Sequence, residues 1–468
     1  MIKLKLNEGS TVFDLLAMLC SKLSKNDERE AAIRWKTATE DTIEAFLAKY
    51  RNFIAIILNS SAHEYTFTSI ECKYLNEELA KIEKWDKSKH EELFLLAVMV
   101  EKHIDVYSNW QCRGVCYLIK PLNVNFEDTG IRIYPYFSPR WNLDKSERGR
   151  EFTWNDRFQN YQIIRKGDEA PFEVIMHYWN DEGLLQITEE GWILKAAITP
   201  VMDNAQFMCK DVSAQSGKGI TIQGLANAKE VEQRVLQAFD VIFEKGYSLI
   251  MFPEVLGTKE VLEAIKDKMR MRPDCMTLVF VPTICKDGMN RLVVLGPGGV
   301  EVISKSKETP FILRDKDGNS KVEHLHYTNE VHVLITRELG NVAFPICSDL
   351  LDPFYYSLLL NVAHVNTILC PSCSPGIEAF KNTMLKGLAS MLLSVWINTC
   401  SAKEVSNKGT ISDTLGLVQL PKATDLGALY EINRMCQNGR CNATCYFDVT
   451  IEYKNNQFYV ESSHFLCA

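Results

Sequence analysis

The chain has 468 residues, of which 46% are apolar and 24% charged, and its 52 Lys+Arg against 60 Asp+Glu give a formal net charge of −8. That composition excludes collagen, coiled coil and wholesale disorder, and the length predicts two to three domains at about 100–200 residues each. Neither half of the chain is basic, so there is no nucleic-acid signal, and no run reaches the ~18–20 apolar residues of a membrane span.

The opening Met1-Ile-Lys-Leu-Lys-Leu lacks the apolar core of a signal peptide. The 15 cysteines are scattered along the chain and read as reduced thiols, which predicts a cytoplasmic protein. In Ser10 to Leu23, the residues Val12, Leu15, Leu16, Leu19 and Leu23 recur at helical spacing, with Ser10 or Thr11 as cap. A second helical pattern runs from Glu91 to Tyr107, and residues 1–110 as a whole read as helical. From Cys112 the texture turns aromatic and strand-like, as in Gly130–Phe137 and Phe172–Trp179, with a polar surface loop at Asn142–Arg150. The aromatic stretch Tyr134 to Trp141 lacks nearby basic residues and reads as packing.

From about Trp192 strands and helices alternate, which predicts an α/β fold over residues 191–468 behind an α+β accessory region, 1–190, helical to 110 and mixed from 111. Ile193–Thr199 reads as a buried strand, Lys210–Gly224 as a polar loop, and Val231, Val235, Ala238, Phe239 and Ile242 as one face of a helix ending at Gly246. Ser248–Phe252 is an apolar run that leads into Pro253-Glu254, as in strands covered on both faces. Thr277–Pro282 and Arg291–Leu295 follow as strands. Gly296-Pro-Gly-Gly lacks the Lys-Ser/Thr pair of a phosphate loop and reads as a hairpin turn, as does Asn455-Asn456 near the end.

Three residues of this half carry chemistry-bearing groups at the ends of apolar segments: Glu254, Lys307 and Cys347. Each alone is weak. A strand-end acid is ordinarily solvated, a lysine in Ser304-Lys-Ser-Lys-Glu ordinarily a surface charge, and a cysteine after Val342-Ala-Phe-Pro-Ile ordinarily a small hydrophobe. Their order and spacing say more. Phe252-Pro-Glu254, then Lys307 eight residues beyond the turn glycine Gly299, then Cys347-Ser-Asp349-Leu with Pro353 six residues after the cysteine, then Asn366–Leu369 leading through Cys370 into Pro371-Ser372, together resemble the nitrilase, or carbon–nitrogen hydrolase, superfamily.

The resemblance implies a four-layer α-β-β-α sandwich, homo-oligomers, a small amide-like or nitrile substrate, and no cofactor or metal. It implies a Glu254–Lys307–Cys347 triad, with Glu323, ahead of Tyr327, as a second acid that orients the lysine and the substrate. Glu323 beside His324 and His326 also reads as a plain surface acid. Ser348 beside the nucleophile, and Ser372 and Cys373 after the later strand, are candidate substrate-facing residues. The residue chemistry agrees: Cys347 between a strand and a predicted helix, Pro353–Ala363, has the setting of a nucleophile elbow, with the helix end and an ammonium expected to lower its pKa. Glu254 suits a general base and Lys307 an oxyanion partner.

The chain departs from the family where Ser306-Lys307-Glu-Thr-Pro310 replaces Tyr-Arg-Lys-x-His-Leu, where Leu351-Asp352-Pro353-Phe354 replaces Arg-Phe-Pro-Glu, and where Lys386–Met391 stands for a segment with Arg-Ala-x-Glu-Asn. Lys305 competes with Lys307 for the catalytic place, and the glycine spacing favours Lys307. Two other functions stay open: an acyltransferase on the same triad, and a non-catalytic oligomeric scaffold or sensor serving the N-terminal region, as in bacterial defence proteins. Cys112-x-x-x-Cys116 and Cys441-x-x-x-Cys445 lack the partner ligands of a zinc site, and Cys370-x-x-Cys373 resembles a redox pair by spacing only and reads as pocket wall.

Overall fold

A computed structural model describes residues 5–35, 40–61, 66–83, 90–104, 117–123, 129–141, 155, 158–202, 204–214, 217–314, 320–385, 392–399, 413–421, 428–435 and 444–467. The chain divides into two compact units, the first of residues 1–112, 119–138 and 142–170, the second of residues 113–118, 139–141 and 171–468. The sequence boundary at 190 therefore moves. Glu173–Tyr178 belongs to the second unit because it pairs in parallel with Glu330–Ile335 along its whole length. Among the described residues no helix is long and apolar enough to cross a membrane.

The first unit opens on the helix Val12–Ser21, whose buried Val12, Leu15, Leu16 and Leu19 repeat at the spacing of one helix face. Thr11, not Ser10, is its cap, and the Thr11 and Asp14 side chains each bond the other's backbone N–H in a capping box. Five further helices, Lys25–Trp35, Glu40–Lys49, Arg51–Ser61, Ser69–Glu83 and His90–Lys102, are described, together with the antiparallel pair Ile131–Pro135 and Tyr161–Arg165. Buried Glu101 accepts the backbone N–H groups of Gln159, Asn160 and Tyr161, and Glu28 pairs with Arg165 at 2.6 Å. Asn142–Arg150 lies outside the described residues, as do Cys112, Cys116, Lys386–Met391 and Cys441.

The second unit holds three sheets. A nine-stranded sheet orders Ile284–Lys286, Met289–Gly296, Leu278–Phe280, Leu249–Met251, Gly191–Ile198, Cys445–Lys454 and Gln457–Leu466, with Val300–Ser306 paired to Met289–Gly296 and Gln186–Ile187 to Gly191–Ile198. An eight-stranded sheet orders Tyr117–Leu118, Glu173–Tyr178, Glu330–Ile335, Asn341–Ala343, Thr367–Ser372, Leu393–Asn398, Thr414–Leu420 and Ala428–Asn433. The helix Ala228–Glu244 buries Val231, Val235, Ala238, Phe239 and Ile242, and joins Lys259–Arg270 in one apolar cluster with Ile250, Val279 and Val293 of the nine-stranded sheet. Gly246, at φ +71, follows the C-cap Lys245.

The third sheet corrects the expected polar loop. Lys210–Gly224 lies in a hairpin, Phe207–Ala214 with Gly217–Leu225, whose second strand pairs in parallel with Ser320–Glu323. Its outer strand sits at the sheet edge with Cys209, Lys210 and Asp211 exposed, which gives it the composition of a loop. The inner strand buries Ile220 and Ile222 at a period of two, and that pairing overrides the polar texture. The turn at Gly296-Pro-Gly-Gly joins two antiparallel strands, and Gly299 there approaches Lys266 so closely that a Cβ would sit 2.8 Å from its carbonyl oxygen. Asn455 and Asn456, both at positive φ, turn the terminal hairpin.

Candidate active site

Three sheets of the second unit each bring one part of the site. The run Leu249–Met251 carries the chain through Phe252-Pro253 to Glu254, which is 2% exposed. The next residue, Val255, sits at φ +74, a conformation that costs a β-branched residue about 1–3 kcal/mol and is held here by a hydrogen bond from its N–H to Thr283 Oγ1 at 2.8 Å. Lys307 follows the strand Val300–Ser306, and its backbone N–H donates to the Asn290 carbonyl at 2.8 Å. Glu323 ends Ser320–Glu323 in the small sheet and exchanges hydrogen bonds with Phe311.

These side chains meet. Lys307 Nζ donates to Glu254 Oε1 at 3.0 Å and to Glu323 Oε2 at 2.8 Å, and lies 5.2 Å from the centre of the Phe311 ring. Burial opposes the charged lysine, but the two carboxylates outweigh it and hold the ammonium well above its ordinary pKa. Burial raises Glu323, with the Glu254 charge adding to the rise and Lys307 opposing it. Glu254 takes two more donors, Asn290 Nδ2 on Oε1 and the Cys373 backbone N–H on Oε2, both at 2.8 Å. Asn290 was not singled out in the sequence. The signal for it is an amide beside the apolar run Leu292–Leu295, in the strand Met289–Gly296, at a position 2% exposed.

Cys347 begins a short 3₁₀ turn, Cys347–Leu351, after the strand Asn341–Ala343, at φ +47. A non-glycine residue in the left-handed region just after a strand has the backbone geometry of a nucleophile elbow, here with the residue buried. The two side-chain charges that act most on its thiol are Glu254, which opposes ionisation, and Lys307, which favours it. Burial is the larger influence, and the thiol stands well above its ordinary range.

This reverses the expectation of a lowered pKa. The helix that was to supply a positive end, Pro353–Asn361, starts six residues later and is capped by Asp352, which accepts from Phe354 N and Tyr355 N at 2.9 and 2.8 Å.

Lys305 has separate work. Its Nζ donates to Asp349 Oδ2, Tyr355 Oη and the Phe344 carbonyl at 3.0, 3.0 and 3.2 Å. Asp349 also accepts the Ile346, Glu308 and Thr309 backbone N–H groups at 3.0, 2.9 and 2.7 Å. The pair ties the lysine segment to the cysteine turn.

About half of the chain matches solved structures of nitrilase-superfamily amidases. A mutant of the amidase from Nesterenkonia sp. AN1 is 12% identical, with 54% of this chain and 89% of that chain covered and a TM-score of 0.32. Another mutant of that amidase, which shows covalent addition of the acetamide moiety of fluoroacetamide at its active-site cysteine, is 13% identical over 51% of this chain and 90% of that chain, with a TM-score of 0.31. The C. elegans NitFhit protein is 12% identical over 52% of this chain and 61% of that chain, with a TM-score of 0.34. No family model and no curated protein matches the chain.

The remaining candidates divide. Cys373 reaches the site through its backbone N–H, and its thiol joins Ile222, Val255 and Cys285 in a small apolar cluster with Phe207 and Phe311 alongside. Ser348 donates its hydroxyl to the Thr309 carbonyl at 2.6 Å. Ser372 is fully buried, accepts from Glu254 N through its carbonyl at 3.4 Å, and turns its hydroxyl to Cys370 Sγ at 3.7 Å. Cys370 and Cys373 are free thiols, and burial pushes Cys370 up to about 12. Among the described residues no group of three or more His, Cys, Asp or Glu is placed to hold a metal ion.

Proposed function

We propose that the second unit, with residues 171–468 as its main part, forms a nitrilase-like, layered α-β-β-α domain and that it is a cysteine-dependent hydrolase of an amide carbon–nitrogen bond. The observation that carries this reading is one buried ammonium, Lys307, bridging two buried carboxylates, Glu254 and Glu323, beside a buried thiol at a left-handed strand end. Paired acids around a lone lysine are costly to bury, and an arrangement of that kind marks a functional site.

The chemistry balances on these groups. Glu254 takes the proton of the Cys347 thiol as sulfur attacks the carbonyl carbon, so the thiol needs no lowered pKa beforehand. The oxygen of the tetrahedral intermediate gains negative charge, and the Lys307 ammonium stabilises it. Collapse breaks the carbon–nitrogen bond, and the leaving nitrogen takes the proton from Glu254. Water then attacks the thioester, giving its proton to Glu254, and the acid departs as sulfur recovers a proton. Glu323 holds Lys307 from the other side and fixes where its N–H groups point. An amine in place of water would make the same thioester an acyl donor.

Cys347→Ala, Glu254→Gln and Lys307→Ala are each expected to cut ammonia release from primary amides by at least about 10³-fold while leaving the thermal melt cooperative. Retained turnover in Cys347→Ala would exclude the proposal.

A further inference from the structure

Asn290 is buried, and its amide is only half used. Glu254 offers acceptors alone, so the Asn290 nitrogen must face it, and Nδ2 donates to Oε1 at 2.8 Å. The oxygen of the same amide, Oδ1, is buried, and none of the described residues donates to it. A buried acceptor left without a donor is destabilising, so its place beside the acid points to a partner. The Asn290 backbone is committed too, because its carbonyl accepts the Lys307 N–H. The residue is therefore fixed to both the base and the lysine, and its free atom lies one bond angle from the nitrogen that binds Glu254.

On the reading proposed above, the leaving nitrogen must come within reach of Glu254 to collect its proton. A group at that point that carries N–H hydrogens meets the unpartnered Oδ1. We infer that Asn290 Oδ1 accepts an N–H of the scissile amide and so selects a carboxamide over an ester or a nitrile, neither of which has a hydrogen to give. The inference rests on the thioester reading but makes a separate demand on it. With an ester or nitrile bound, the acceptor stays desolvated and unpaired, and sites built this way discriminate strongly against the partner that lacks the donor. At the hydrolytic step the same atom can take the second hydrogen of the attacking water.

The experiment compares acylation of Cys347, followed by mass spectrometry of the full-length protein, with paired primary amides and methyl esters of acetic, propionic, glutaric and phenylacetic acids. Both members of a pair leave the same acyl group on sulfur. Asn290→Ala also removes a hydrogen bond to Glu254, so both rates are expected to fall. The amide-to-ester rate ratio is expected to fall further, by about tenfold or more, the loss of one hydrogen bond of about 1.4 kcal/mol. Asn290→Ser, a smaller change in polarity, serves if the alanine variant does not fold, with the same ratio as readout. An unchanged ratio, with both rates reduced equally, would overturn the inference and leave the thioester reading standing. Acyl groups on a cysteine other than Cys347, with Cys347 unmodified, in the wild-type protein across all pairs would overturn both.

Discussion

The Cys347 thiol sits between a carboxylate that opposes its ionisation and an ammonium that favours it, and burial tips the balance to the neutral form. A neutral nucleophile beside a base fires only when a substrate is in place, because proton transfer to Glu254 and attack on carbon then occur together. The direction of the shift makes a test possible. Alkylation of Cys347 by iodoacetamide should be slow at pH 7 and should accelerate only as pH rises past the ordinary thiol range. Glu254→Gln removes a charge that raises the thiol pKa, so it should speed alkylation at neutral pH by about tenfold for each unit recovered, even as it abolishes turnover. Lys307→Ala removes the opposing charge and should slow it. Site-specific mass spectrometry against pH reads both, and a slower Glu254→Gln would mean that the carboxylate does not act on the thiol as placed.

Element by element, the site depends on how the cysteine turn is fastened to the lysine segment. Lys305, near the end of Val300–Ser306, and Lys307, just after it, send their side chains to different acids, Asp349 and Glu254. Lys305 and Asp349 are 1% and 0% exposed, so neither has water to fall back on. Lys305→Met leaves Asp349 buried without its cation and should cost about 3–5 kcal/mol of stability, measured as a lower denaturation midpoint. Adding Asp349→Asn should recover part of it, because no unpaired charge then remains. An unchanged midpoint in Lys305→Met would show that the pair contributes nothing to the turn.

The choice between the two lysines was open in the sequence, where only the distance to a turn glycine separated them. Glu323 was open for another reason, since an acid ahead of two histidines has no local mark of burial; the lysine 2.8 Å away supplies it. Asn290 left no mark, because a lone amide next to Arg291 at the start of a strand has no motif until its partner is known.

At the scale of the molecule, the second unit joins three sheets at one point. The nine-stranded sheet brings Glu254, Asn290 and Lys307, the four-stranded sheet Glu323, and the eight-stranded sheet Cys347 and the Cys373 N–H. In the two larger sheets the strands Gly191–Ile198, Leu249–Met251, Leu278–Phe280 and Thr367–Ser372 are largely apolar runs, and they were readable for that reason. The four-stranded sheet was not, because its outer strand is polar and its inner strand is specified by pairing with a segment about a hundred residues away, Ser320–Glu323.

The first unit was readable as helices and, at Gly130–Phe137, as a strand; its Glu28–Arg165 ion pair and capped helix are structural. The claim on which the rest depends is that Cys347 becomes the acylated sulfur. The most direct measurement is peptide mapping of wild-type protein quenched in acid after mixing with a primary amide or its methyl ester. The expected result is a single acyl mass on the peptide holding Cys347, lost in Cys347→Ala. An acyl group on Cys285, Cys370 or Cys373 instead, with Cys347 unmodified, would contradict it.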